Sequence, residues 1–342
     1  MEFVFTEEQA MIGETARAFF TESATSERTR KAMAHDGFDR ELWQSFCGEL
    51  GLGGIGLPEE FGGAGLGMVE FALVAEAAGA QVAALPLLGL ATAARAIAAG
   101  GSEGQKAEWL PKLISGEVVA TSLVATDAQT ALAPHGASAD LILHAIGERA
   151  WLAQPDNAGV VVTPMTSMDQ TRPFAHIGFN SAESEALENE PAATQAARVA
   201  GWICLAAEAL GGAQACLDKT VAYAKERIQF GRPIGSFQAY KHRLADMVIE
   251  IEQARSAVYW AACAVDEGSD EAELALHAAK SFCADTFFMC ASNMIQLHGG
   301  IGFTWEHDAH LYFKRARSIQ TLLGNGNYHR EQVATMILGE AA

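Results

Sequence analysis

Three long apolar-periodic runs follow one another after residue 190, and they constrain the fold more than any other feature. They are "ATQAARVAGWICLAAEALGGAQACLDKTVAYAKERIQF", "SFQAYKHRLADMVIEIEQARSAVYWAACAVDEG" and "EAELALHAAKSFCADTFFMCASNMIQLHGG". Each repeats its apolar residues at helical spacing and is many turns long, and each ends at a glycine-bearing turn. Helices of that length bury an apolar stripe only against one another, so residues 191–342 read as a helical bundle closed by a short fourth helix.

The preceding residues split into two textures. Residues 1–116 read as helices: "TEEQAMIGETARAFF" opens on Thr6 as a cap, and "SEGQKAEWLPKLISGE" opens on Ser102 in the same role. Between them "DRELWQSFCGELGLGGIGLPEEFGGAGLG" reads as a helix running into a glycine- and proline-rich loop. From 117 to 190 short β-rich runs take over, "EVVATSLVAT", "ADLILHAIG", "AWLAQ" and "AGVVVTPM". They predict a small antiparallel β unit. The fold class is therefore mainly α with a small β domain, divided as 1–116, 117–190 and 191–342.

Charge is unevenly spread over this plan. The chain carries a net −19, and residues 1–218 hold 11 Lys and Arg against 28 Asp and Glu. Residues 219–330 hold 12 of each sign, so "KERIQFGR", "KHR" and "FKRAR" form local basic clusters. Overall acidity argues against nucleic acid as a partner, whereas basic clusters beside glycine turns suit a discrete anionic ligand. No apolar run is long and unbroken enough to predict a bilayer span, and the acidic, helix-periodic start is unlike a signal peptide. The six cysteines include no CxxC pair. They read as buried thiols in a reducing compartment, with no metal site expected. Cytoplasm is the expected location.

Two constellations carry chemistry. In "ERIQFGRPIGSFQAYKHRLADM", Arg227 ends a long helix, a Pro–Gly turn follows, and Ser236 is placed to cap the next helix. A helix start beside an arginine suits a pyrophosphate, although a solvated helix corner has the same appearance. In "QLHGGIGFTWEHDAHLYFKRAR", Gly299, Gly300 and Gly302 end a helix and permit close backbone approach, with Gln296 one turn earlier. Together the motifs are far more specific than either alone.

The pair, the N-terminal "LPEEFGGAGLGMVEFALVAEAAG" and the helix–β–helix order resemble the acyl-CoA dehydrogenase family over nearly the whole chain. The resemblance implies an N-terminal helical domain, a middle β domain and a C-terminal four-helix bundle. It implies an FAD enzyme that removes hydrogen across Cα–Cβ of an acyl-CoA and passes electrons to an electron-transfer flavoprotein. Arg227, Gln229, Phe230, Ile234, Phe237, Gln238, Gln296, Gly299 and Gly300 match positions that serve the flavin of a neighbouring subunit. There the arginine meets the pyrophosphate and the Gln-x-x-Gly-Gly run meets the ADP end.

The departures matter as much. The family's middle domain opens with a run that cups its own flavin ring; here the stretch reads "SLVATDAQTALAPHGASADL", and the domain is shortened. The reaction needs a carboxylate base within reach of the substrate α-carbon. Of the two family positions for that glutamate, one falls on Gly324 and the other on Gly201, next to Trp202. No catalytic residue is therefore expected in this chain. Glu208 and Glu331 lie nearby but are displaced by more than a helical turn. The pattern resembles the short non-catalytic subunit of α2β2 acyl-CoA dehydrogenases of steroid and bile-acid side-chain degradation, in which a longer homologous subunit supplies the base. A self-sufficient homomeric enzyme using Glu208, or a flavin-free scaffold or acyl-CoA binding protein, are the alternatives.

Overall fold

The computed structural model describes residues 4–125 and 131–339. Its helices α1 (Glu7–Ser23), α2 (Ser26–Met33), α3 (Arg40–Gln44), α4 (Met68–Ala80), α5 (Leu87–Gly100) and α6 (Glu103–Ile114) come first. The strands β1 (Ala120–Ala125), β2 (Leu132–Pro134), β3 (Leu141–Ile146), β4 (Arg149–Ala153), β5 (Val160–Pro164), β6 (Phe174–Phe179) and β7 (Glu185–Ala186) follow. Then come α7 (Glu190–Glu226), a hairpin of β8 (Ile228–Gln229) and β9 (Arg232–Pro233), α8 (Gln238–Asp266), α9 (Ala272–His298), α10 (Ala309–Thr321) and α11 (Gly326–Leu338). This is the helical, β, helical order expected. Compact packing cuts the chain within α1, α4 and α7, giving one unit of Met1–Thr21, Ala72–Ala83 and Leu205–Ala342 and another of Glu22–Phe71 and Ala84–Cys204.

The unit of residues 22–71 and 84–204 combines short helices with two small sheets. Ser102 and Gln105 form a reciprocal capping box at the start of α6, and the Gln105 amide continues to the Ala186 carbonyl, tying α6 to β7. Asp39 caps α3 and takes both arms of Arg28, at 2.8 and 2.7 Å. Helix α5 lies directly on β1, because a Cβ at Gly89 would come 2.0 Å from the Ala120 carbonyl. One sheet runs β1-β3-β4-β7 and the other β2-β6-β5. Their shared core is Leu123, Ala133, Ile142 and Ile177. In β3, His144 faces Trp151 across the strand pair and stacks on Phe179 at 4.6 Å. Burial there holds its imidazole down at about 4.

One expectation is corrected here. The sheets are not wholly antiparallel, since β1 and β3 pair in parallel from Ala120–Leu141 to Ala125–Ile146. Strand β2 leaves for the other sheet before the chain returns, so β3 enters beside β1 in the same direction.

The unit built from residues 205–342 packs α8, α9, α10 and α11 with the C-terminal part of α7, α1 and residues 72–83. Thr6 caps α1, with Gln9 reciprocating, as the sequence predicts. Helices α4 and α7 meet backbone to backbone: a Cβ at Gly79 would lie 2.1 Å from the Glu208 carbonyl, and one at Gly211 would lie 1.8 Å from that of Glu76. The Glu76 carboxylate receives Arg255 at 2.7 Å and the Tyr259 hydroxyl at 2.5 Å, both from α8. Among the described residues one helix, α7, is long and apolar enough to cross a membrane, and 89% of its most apolar window is buried. All six cysteines are reduced, and all but the half-buried Cys263 are buried. Burial pushes the Cys47, Cys283 and Cys290 thiols up to about 12.

Candidate functional site

The first motif forms a sharp corner between α7 and α8. Phe230 and Gly231 take successive left-handed backbones, φ 51° and 77°, which is the geometry of a two-residue hairpin turn between β8 and β9. Phe230 therefore projects with 91% of its surface exposed. Beneath it Phe237 presents an edge at 6.1 Å, and the Arg232 guanidinium lies over the Phe237 ring at 4.1 Å.

Ser236 does not cap α8, contrary to expectation. Its hydroxyl donates to the Pro233 carbonyl at 2.7 Å, the cap position falls on Phe237, and no side chain satisfies the first turn. At the start of this 29-residue helix the Phe237 and Tyr240 N–H groups already donate to the Ile234 and Phe237 carbonyls, leaving the Gln238 and Ala239 amides, with Arg227 exposed at the same corner.

The second motif ends α9 on Gly299, with φ 65°, and continues as one turn of 3₁₀ helix to Phe303. Gly302 is required by packing, since a Cβ would come 2.8 Å from the Ile295 carbonyl. Gly299 and Gly300 open onto empty space instead. Two tyrosines join the motifs. Tyr240 of α8 donates to the Leu297 carbonyl at 2.9 Å, and Tyr223 of α7 reaches the His298 carbonyl at 3.4 Å while stacking on that ring. The predicted residues thus gather at one end of the bundle. Arg227, Gln229, Phe230, Gln238, Gln296, Gly299 and Gly300 are exposed there, and Ile234 and Phe237 are half-buried. Neither tyrosine was singled out in the sequence, although each lies within a turn of a motif residue.

A guanidinium, an uncapped helix start, an amide side chain and unobstructed glycines make a donor set suited to a diphosphate with a heterocycle attached. FAD fits this set through its ADP half. Arg227 and the start of α8 would take the pyrophosphate, and Gln296 with Gly299–Gly300 would take the adenosine end.

The two expected base positions hold no acid. Gly201 is buried within α7. Gly324 sits between α10 and α11 with φ 99°, and a Cβ there would lie 2.6 Å from Tyr328 Cδ1 and 2.8 Å from His329 Nε2. Glu208 is 3% exposed and lies 3.6 Å from the Arg315 guanidinium, which also donates to the Ala83 carbonyl. That arrangement makes Glu208 a structural carboxylate. Glu331 is exposed on α11. Of the stretch read as a lost flavin cup, residues 126–130 lie outside the described residues; the rest forms β1, β2 and the start of β3.

Residues 6–117 match the acyl-CoA dehydrogenase N-terminal domain, and residues 195–338 match its C-terminal domain. The chain belongs to the acyl-CoA dehydrogenase family, whose members are FAD-using oxidoreductases. Over 320 residues it is 36% identical to acyl-CoA dehydrogenase IpdE2 of Mycolicibacterium smegmatis, covering 93% of this chain and 95% of that protein. A chain of the Tcur3481–Tcur3483 steroid acyl-CoA dehydrogenase (G363A variant) superposes with TM-score 0.89 at 30% identity, covering 97% and 98% of the two chains. A chain of the ChsE4–ChsE5 complex from Mycobacterium tuberculosis superposes with TM-score 0.92 at 26% identity over 100% of both.

Proposed function

We propose that this chain is the non-catalytic subunit of an α2β2 acyl-CoA dehydrogenase. It binds the ADP half of an FAD whose ring and base belong to a longer homologous partner. One observation carries the reading: an exposed, complete set of donors stands at one end of the bundle in a chain whose base positions are both glycine. Such a set serves a cofactor approached from outside the chain. The two-chain names of the Tcur3481–Tcur3483 and ChsE4–ChsE5 structures support a paired assembly, and the first name supports a steroid-derived acyl-CoA as substrate class. On this reading residues 1–116, 117–190 and 191–342 act as helical, reduced β and bundle domains in the cytoplasm. An electron-transfer flavoprotein is the acceptor.

Bound FAD would supply the acceptor for the hydride that leaves the acyl β-carbon. This chain's residues hold the cofactor in place. Arg227 would make a charge-assisted contact to the pyrophosphate, the Gln238 and Ala239 amides at the start of α8 would add dipolar attraction, and the phenols of Tyr223 and Tyr240 keep the two motifs in register. The α-proton passes to a carboxylate of the partner, because no acid of this chain stands at a base position. The test compares flavin spectra of the chain purified alone and co-expressed with the homologous longer chain. Flavin at two per tetramer only on co-expression is expected. Flavin bleached by an acyl-CoA in the chain alone overturns the reading, and flavin absent from both preparations removes the cofactor role.

A further inference from the structure

We infer that the turn between α10 and α11 is bolted shut by a buried string of side chains with one fixed proton pattern, which loosens as the pH falls. The string is Glu273–His277–His329 with Lys280 beside it. This inference rests on residues of this chain and is independent of the half-site reading. His329, His277 and Lys280 are 0%, 2% and 1% exposed. With Tyr328, His329 fills the direction a side chain on residue 324 would take, so the turn is closed rather than vacant.

The protons follow from donor and acceptor accounting. His329 Nε2 lies 3.1 Å from the Leu323 carbonyl, which only accepts, so Nε2 carries hydrogen. His277 Nε2 lies 3.3 Å from the Glu273 carboxylate. The two Nδ1 atoms are 2.7 Å apart, with room for one proton between them. A neutral His329 leaves its own Nδ1 bare, so the shared proton sits on His277 Nδ1, which donates it to His329. Burial first, and then the neighbouring Lys280 charge, hold His329 down at about 3, in agreement with the neutral form.

Lys280 completes the bolt. Its ammonium donates to the Ile319 carbonyl at 3.0 Å and to the Gly324 carbonyl at 3.3 Å, neutralising the negative end of α10. The groups around His329 are thus Glu273, His277, Lys280 and, further along, Asp285 from α9. Carbonyls of Leu323 and Gly324 face it from the turn, the Ile319 carbonyl of α10 is taken by Lys280, and Tyr328 and Arg330 stand beside it on α11. Asp285 is already bound to Arg330 at 2.8 Å and to Gln320 at 2.8 Å. A second proton on His329 would therefore face the Lys280 ammonium while breaking its bond to His277.

An opened turn returns His329 to water, where an imidazole takes its proton near pH 6.5. The closed state resists that proton down to about 3, so closure is complete above the higher value and weakens as the pH falls between the two. From pH 7.5 to 4.5 the opening constant of α11 rises about hundredfold. Hydrogen exchange of amides 326–338 in the full-length chain, in the assembly in which it is purified, reads this constant after correction for intrinsic rates. His329→Asn keeps a donor for the Leu323 carbonyl and should remove the pH dependence. A flat wild-type profile, or the same slope in His329→Asn, overturns the inference. Imidazole ¹⁵N spectra of the wild type at pH 7.5 test the pattern without any variant. An Nε2–H ring with a bare Nδ1 for His329 and an Nδ1–H on His277 are expected, and any other assignment of the two facing nitrogens overturns it.

Discussion

Alanine at Gly324 measures how firmly the turn is closed. With φ at 99°, an L-residue there is strained by about 1–2 kcal/mol from its backbone alone. The new methyl would also start 2.6 Å from Tyr328 Cδ1 and 2.8 Å from His329 Nε2, and overpacking of a filled site costs about 1–3 kcal/mol. The expected loss is therefore about 2–5 kcal/mol. Gly268, at the end of α8, is the control. Its φ is 62°, but a Cβ there meets nothing, so Gly268→Ala should cost about 1 kcal/mol. Urea midpoints at equal m, measured on the same assembly, give the difference between the two variants. Equal losses would show that Tyr328 and His329 do not occupy the turn as described. Gly324→Glu should meet the same obstruction, and flavin content and turnover of its co-expressed assembly should match wild type. A rise toward four flavins per tetramer would expose a second complete site.

Arg227→Ala should weaken FAD binding in the co-expressed complex roughly tenfold to hundredfold, as loss of a charge-assisted contact implies; flavin titration checks it. Arg315→Met removes the guanidinium 3.6 Å from the buried Glu208 carboxylate and should destabilise the fold by about 3–5 kcal/mol, while the double change Arg315→Met with Glu208→Leu should recover most of that in the same denaturation assay. His144 is held at about 4 in the folded chain, so its contribution is complete above the ordinary imidazole value and declines as the pH falls toward 4. His144→Phe should flatten the acid side of the thermal stability profile, and an unchanged profile would show that this ring is not responsible.

Local signals were legible because they act within a turn of the chain. Thr6, Ser102 and Gly299 were readable as helix ends, since a cap and its target amide lie three or four residues apart. The nine positions that the resemblance matches to flavin contacts come from two separate runs of sequence. What brings them together is tertiary, and the two phenols that do so look in the sequence like ordinary helix residues. Ser236 was misread because a nearby carbonyl, Pro233, competes for the same hydroxyl. The parallel pairing of β1 with β3 depends on where β2 goes, which no short run encodes. Lys280 and His277 sit in an apolar run, and only the fold sets them against His329, 49 and 52 positions further on.

The crossing of α4 and α7 has a mechanical consequence. Its two contacts run in opposite senses along the helices, residue 79 against 208 and residue 76 against 211. A slide by one residue, about 1.5 Å, would bring a side chain into a slot that admits only hydrogen. Rotation is blocked as well, because Glu76 is anchored to α8 and Glu208 to α10. The paired segments thus behave as a keyed shaft: any displacement that ligand or partner imposes on one must carry the other, and with it the helices anchored to them.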